Sequence, residues 1–168
     1  ARPLPLYDGA GGVIWALQHL RRVRAIDRDF DFDFRATVAT LVERHRAVIA
    51  SWDNAHGSYL LGDTGLLLLQ WQFTHEAAVA GELFATIEAN LHHKSLEALW
   101  GSPGSLLATI AMAEATDERR WRDQLERGLR ILWEKMSFDD RLGAWLWVQD
   151  LYGRQRPLLG AGHGFAGN

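Results

Sequence analysis

An acid stands among apolar residues just ahead of a helix start, in the stretch Leu96-Glu97-Ala98-Leu99-Trp100-Gly101-Ser102-Pro103-Gly104. Ser102 is a good N-cap, and Pro103 suits the first helical position, where its missing N–H costs nothing. A helix is therefore predicted to begin here and to run to about Glu114. Gly101 and Gly104 have no Cβ, so another backbone or a ligand can come close to that start. A carboxylate aimed at a crowded helix N-terminus can be catalytic. It can also be an anchor for backbone amides, which the helix dipole favours. Residue types alone leave both roles open for Glu97. Two other acids, Asp8 and Asp63, sit beside or inside similar glycine pairs and read as helix caps. His92 and His93 are adjacent, so they face different sides of a helix and read as surface residues.

The elements that would position these residues follow a repeat. Gly-x-x-Gly occurs at Gly9/Gly12, Gly62/Gly65, Gly101/Gly104 and Gly164/Gly167, with 53, 39 and 63 residues between first glycines. Each of the first three opens an apolar helix. The first carries Val13, Ile14, Trp15, Leu17, Leu20 and Val23, is apolar on most of its circumference, and is predicted to be buried. The second runs through Leu66–Leu69 and Trp71. An amphipathic helix follows each apolar one. Asp33 can cap the first of these, with Phe34, Val38, Leu41, Val42, Ala47, Val48 and Ile49 inward. The next spans roughly Gly81 to His93, with Leu83, Phe84, Ile87 and Leu91 on one face. Asp117 is expected to cap the third, with Trp121, Leu125, Leu129, Leu132, Trp133 and Met136 inward. Gly128 in its middle costs about 1 kcal/mol against Ala. Asp27–Asp33 is an acidic, aromatic connector, and Ser51–Ser58 reads as a loop. Between Ser137 and Gly162 the helical period is lost. Leu142–Val148 can be extended, and Gly153–Gly162 reads as a loop. Alternating buried and half-buried helices in hairpins can close into a double ring, so the predicted class is all-α, part of an α/α toroid.

Composition narrows the function. The chain has 168 residues, 48% of them hydrophobic and 23% charged, which suits one globular domain over residues 1–168. A formal net charge of −3 argues against a nucleic-acid partner. There is no cysteine, hence no disulfide and no thiolate metal ligand, which fits a cytoplasmic setting. No apolar run approaches membrane-spanning length. The fourth glycine motif should open a helix, yet the sequence stops at Asn168. The expectation is therefore of a partial domain with C-terminal repeats missing.

The motifs resemble the lanthionine synthetase C-like (LanC-like) family, which includes the bacterial lantibiotic cyclases. The matching residues are Leu6-Tyr7-Asp8-Gly9-Ala10-Gly11-Gly12-Val13, Leu60-Leu61-Gly62-Asp63-Thr64-Gly65, Glu97 through Gly104, and Gly162-His163-Gly164-Phe165-Ala166-Gly167-Asn168, in the family's order. Gln149-Asp150-Leu151-Tyr152-Gly153 also looks like bacterial members. The resemblance covers the whole chain and the N-terminal half of the family's length. It implies a toroid of six or seven hairpins, with the active site at the rim where the glycine corners gather. It implies a thioether-forming enzyme that adds a thiol to dehydrated Ser or Thr residues of a peptide. It implies zinc, held by two Cys and one His from later repeats, so this chain by itself would bind none. It assigns catalytic roles to His163 and Glu97. Thiolate attack leaves an enolate to be protonated, a step that suits His, and a nearby carboxylate would orient that His. The partners implied are a peptide carrying dehydrated Ser/Thr and a thiol donor.

Two other readings stay open on the residues. A carbohydrate-active toroid would use Trp15, Trp52, Trp71, Trp100, Trp145 or Trp147 as platforms. It needs a second acid about 5–10 Å from Glu97, with Asp63 or Asp150 as candidates. A non-catalytic peptide-binding module is compatible with the missing zinc ligands. The LanC-like reading predicts that Glu97 and His163 meet at one end of the fold. A partial toroid also predicts an exposed apolar face, poor solubility and self-association.

Overall fold

A computed structural model of the chain describes residues 4–28, 30–52 and 56–168. Position 29 of the predicted connector and positions 53–55 of the predicted loop lie outside the described residues. Six helices come first: α1 (Ala10–Arg22), α2 (Phe34–Ile49), α3 (Asp63–Thr74), α4 (Ala77–Asn90), α5 (Ser102–Thr116) and α6 (Arg119–Glu134). Three strands follow, β1 (Met136–Asp139), β2 (Ala144–Leu151) and β3 (Arg154–Pro157), and then a 3₁₀ turn at Phe165–Gly167. The protein is mainly helical, but not helical throughout.

The expected alternation holds for α3 to α6. Every residue of α3 from Asp63 to Leu69 is buried, as is most of the first half of α5. The two helices that follow them bury one stripe each: Val79, Ala80, Leu83, Ile87 and Asn90 in α4, and Trp121, Gln124, Gly128 and Leu132 in α6. That α6 stripe leaves Leu129 and Trp133 exposed, contrary to expectation. Gly128 belongs to it because a Cβ there would crowd the Leu106 and Leu91 side chains, so the helix accepts a poor helix former to come close to α5. In α2, Val38, Leu41, Val42, His45 and Ile49 are buried, while Ala47 and Val48 face outward.

Helix α1 corrects a second expectation. Only Gly11 and Ile14 are buried in it, and Val13 is 60% exposed. It packs against α2 and α3, and Trp15 and Leu20 stay exposed along with Val13. A continuous apolar surface guarantees burial only when neighbours exist all round.

Local chemistry sets the helix ends. In Thr74-His75-Glu76 and Thr116-Asp117-Glu118 the middle residue is left-handed, with φ of 51° and 55°. The Thr hydroxyl accepts the Glu amide at 3.3 Å in both. This corner reverses the chain between α3 and α4, and again between α5 and α6. Asp117 therefore ends α5 and does not cap α6, whose N-cap is Glu118. The same corner makes α4 begin at Ala77, earlier than expected. Asp33 does cap α2, accepting the Ala36 amide at 2.9 Å.

The sheet is an antiparallel meander in the order β1-β2-β3, and it corrects the expectation of helices alone. Its central strand comes from the aperiodic, aromatic-rich Trp145-Leu146-Trp147-Val148, residue types that fit a pleated surface. Trp147 anchors the sheet by donating its indole N–H to the Leu132 carbonyl at 2.7 Å. Ser95 Oγ donates to the Asp150 carbonyl at 2.8 Å. Arg154–Pro157, expected in a loop, forms β3. Among the described residues no helix is long and apolar enough to cross a membrane.

Candidate active site at the glycine rim

Each Gly-x-x-Gly motif forms the same kind of corner. A loop folds back over the helix start until its carbonyls touch the glycines. A Cβ on Gly12 would overlap the Leu6 carbonyl oxygen. On Gly65 it would overlap that of Tyr59, on Gly104 that of Ala98, and on Gly167 that of Ala161. The close approach is thus to the chain's own backbone. The N-caps of α1, α3, α5 and the 3₁₀ turn are Gly9, Gly62, Gly101 and Gly164, all extended and without a side-chain cap. Ser102 is accordingly the first residue of α5 and not its cap.

The corners are joined in sequence order. The Tyr7 amide donates to the Leu60 carbonyl at 3.0 Å, linking first to second. Ser58 Oγ donates to the Leu99 carbonyl, linking second to third. Ser105 Oγ donates to the Gly57 carbonyl at 2.7 Å. Third and fourth are linked by Asn168 Nδ2, which donates to the Leu96 carbonyl at 2.8 Å, and by the pair Glu97–His163. The four corners therefore share one rim.

Glu97 is fully buried there. Its Oε1 accepts the Trp100 amide at 2.5 Å, and its Oε2 accepts the Leu99 amide at 3.1 Å. His163 Nδ1 lies 2.8 Å from the same Oε2. The two residues singled out for chemistry, 66 apart in sequence, are thus brought into contact. Glu97 is an anchor for its own loop and a partner of the imidazole at once. An ionised carboxylate only accepts, so His163 carries its proton on Nδ1 and leaves Nε2 as the reactive nitrogen. The His163 side chain keeps 40% of its surface exposed, against none for Glu97. A buried acid holding a half-exposed imidazole by one nitrogen can move a proton at the other.

His163 opens onto a pocket of about 230 Å³. Its other walls come from Gln149 and Leu151 of β2, Tyr152 of the turn, Arg154 and Arg156 of β3, and Leu158 just after it. Sequence reasoning missed this wall. The signal was Tyr152-Gly153 between two short extended runs, which is a two-residue hairpin turn with φ of 53° and 71°.

The remaining candidates lie elsewhere. Asp63 is buried and is no cap. It pairs with Arg46 Nε at 2.9 Å and lies 3.6 Å from His56 Nδ1. Asp8 is exposed, and α1 has no side-chain cap at all. His92 is exposed, and His93 Nδ1 accepts the Ser95 amide at 3.0 Å. His45 is buried in α2, and its Nε2–H donates to the Leu61 carbonyl at 3.0 Å. Desolvation lowers its pKa below the ordinary histidine value. Among the described residues no group of three His, Asp or Glu could hold a metal ion. No model of a known family matches the chain, and no curated protein matches it.

Proposed function

We propose that the chain is part of a LanC-like α/α toroid whose activity is addition of a thiol to a dehydrated Ser or Thr in a peptide. The observation that carries this reading is the Glu97–His163 pair at a rim where four glycine corners meet. The helix alternation from α3 to α6 supports it as well.

In such a reaction the sulfur bonds to the β-carbon of the dehydro residue, and the alkene electrons move to the α-carbon as an enolate. The proton released by the thiol balances the one delivered to that carbon. His163 Nε2, bare while the ring proton sits on Nδ1, takes up the thiol's proton and delivers it to the α-carbon, and the Glu97 carboxylate stabilises the imidazolium formed in between and holds its orientation. The zinc that the resemblance implies would lower the thiol's pKa when bound. The residues here do not fit it: the chain has no Cys, and His163 is engaged with Glu97. No step is assigned to zinc in this chain.

A carbohydrate-active reading is less well supported. Of the two acids that could oppose Glu97, Asp63 is committed to Arg46 and His56. The test is thiol addition to a dehydroalanine-containing peptide by the gene product that carries this chain, followed by the mass gain of the peptide. Loss of at least a hundredfold in rate is expected for His163→Gln. An unchanged rate would overturn the reading.

A further inference from the structure

The wall of the His163 pocket is chemically one-sided. Gln149 pairs with Arg156 and Leu151 with Arg154 across β2 and β3, and directly opposed residues share a face of the sheet. That face is the one turned to His163, since all four residues line the pocket with it. The acid of this hairpin, Asp150, pairs with Gln155 and so belongs to the opposite face. Two guanidiniums thus face the pocket, and no carboxylate lines it. Neither arginine is paired with a carboxylate of any described residue.

Two further features mark the pocket as a binding site. Gln149 is fully buried at its floor. Its Nε2 donates to the Leu96 carbonyl, which leaves Oε1 buried without a partner. A ligand N–H would satisfy that acceptor. Tyr152 is the second feature. It occupies a left-handed position (φ 53°) where Asn or Gly is the residue the turn favours. Yet it is 80% exposed, so no packing within the chain accounts for a bulky ring there. Unfavourable backbone at the mouth of a pocket points to use of the side chain.

We infer that this pocket binds a carboxylate of an acidic peptide segment through Arg154 and Arg156, with Gln149 Oε1 taking a peptide N–H and Tyr152 covering the bound chain. The inference rests on the peptide-modifying reading and names the substrate class for the same site. Planar, always-charged guanidiniums suit a carboxylate in two-point contact.

The test is fluorescence anisotropy with a labelled peptide carrying two adjacent Asp, against the same peptide with Asn, at low and at 0.5 M salt. The Asp peptide is expected to bind at least tenfold more tightly, and to lose that advantage at high salt. Arg154→Gln/Arg156→Gln should abolish the preference without lowering the melting temperature, since both side chains are exposed. Tyr152→Asn should weaken binding and raise the melting temperature. Equal binding of both peptides, an undiminished preference in the double variant, or displacement by inorganic phosphate at the peptide's own concentration would each overturn the proposal. Loss of thiol addition as the activity, with the Asp preference intact, would sink the functional reading alone. Intact thiol addition without the preference would sink only this subsite.

Discussion

At the residue scale, one carboxylate serves three donors. Glu97, itself fully buried, takes the amides of Leu99 and Trp100 and the imidazole of the half-exposed His163. Glu97→Gln keeps the shape but loses the charge and one acceptor. We expect it to cost about 1–3 kcal/mol of stability. On the proposed function, thiol addition is expected to fall further, by roughly 10²- to 10⁴-fold, because the imidazolium loses its counter-charge. Urea unfolding beside rate measurement separates the two; equal losses on a free-energy scale would reduce Glu97 to an anchor. His45 supports a second prediction. Burial lowers its pKa in the fold, so the unfolded chain binds a proton first as pH falls through about 6.5. Stability is therefore complete above that value and declines below it, with a slope of up to about 1.4 kcal/mol per pH unit until the folded-state pKa is reached. His45→Gln should flatten the difference between urea midpoints at pH 7.5 and 5.5.

At the element scale, the glycines fall into two groups. Gly104 lies under the Ala98 carbonyl oxygen, and backbone cannot yield as a flexible side chain can. Gly104→Ala is expected to cost about 3 kcal/mol or more, read as a large drop in unfolding midpoint. Gly81 in α4 has open space where a Cβ would stand. Gly81→Ala should instead add about 0.5–1 kcal/mol in the same measurement. The contrast shows which glycines the corners require. All of the Gly-x-x-Gly spacing was legible in sequence, because each corner is a local loop closing on its own helix start. The Thr-x-Glu corners were not read, because their left-handed middle residues, His75 and Asp117, are not glycine. The β2–β3 hairpin went unread for the same reason at Tyr152.

At the scale of the whole molecule, helices α1 and α5 flank α3 and leave apolar side chains in water. Val13 is 60% exposed, Leu107 50% and Ile110 38%. We expect the chain to self-associate at tens of micromolar, and Val13→Lys/Leu107→Lys to shift it towards monomer in sedimentation equilibrium. A strictly monomeric wild-type chain at that concentration would contradict this.

By itself the sequence determined the glycine corners, the order of the six helices and the buried character of α3 and α5. These rest on steric needs and periodicities that act within a few residues. Only the tertiary structure decided that Gly101 and not Ser102 caps α5, that Asp63 answers Arg46, and that α1 keeps a face in water. It also decided that Arg154 and Arg156 stand beside His163. Those outcomes depend on which distant backbone arrives at a given surface, and no local rule for a residue contains that information.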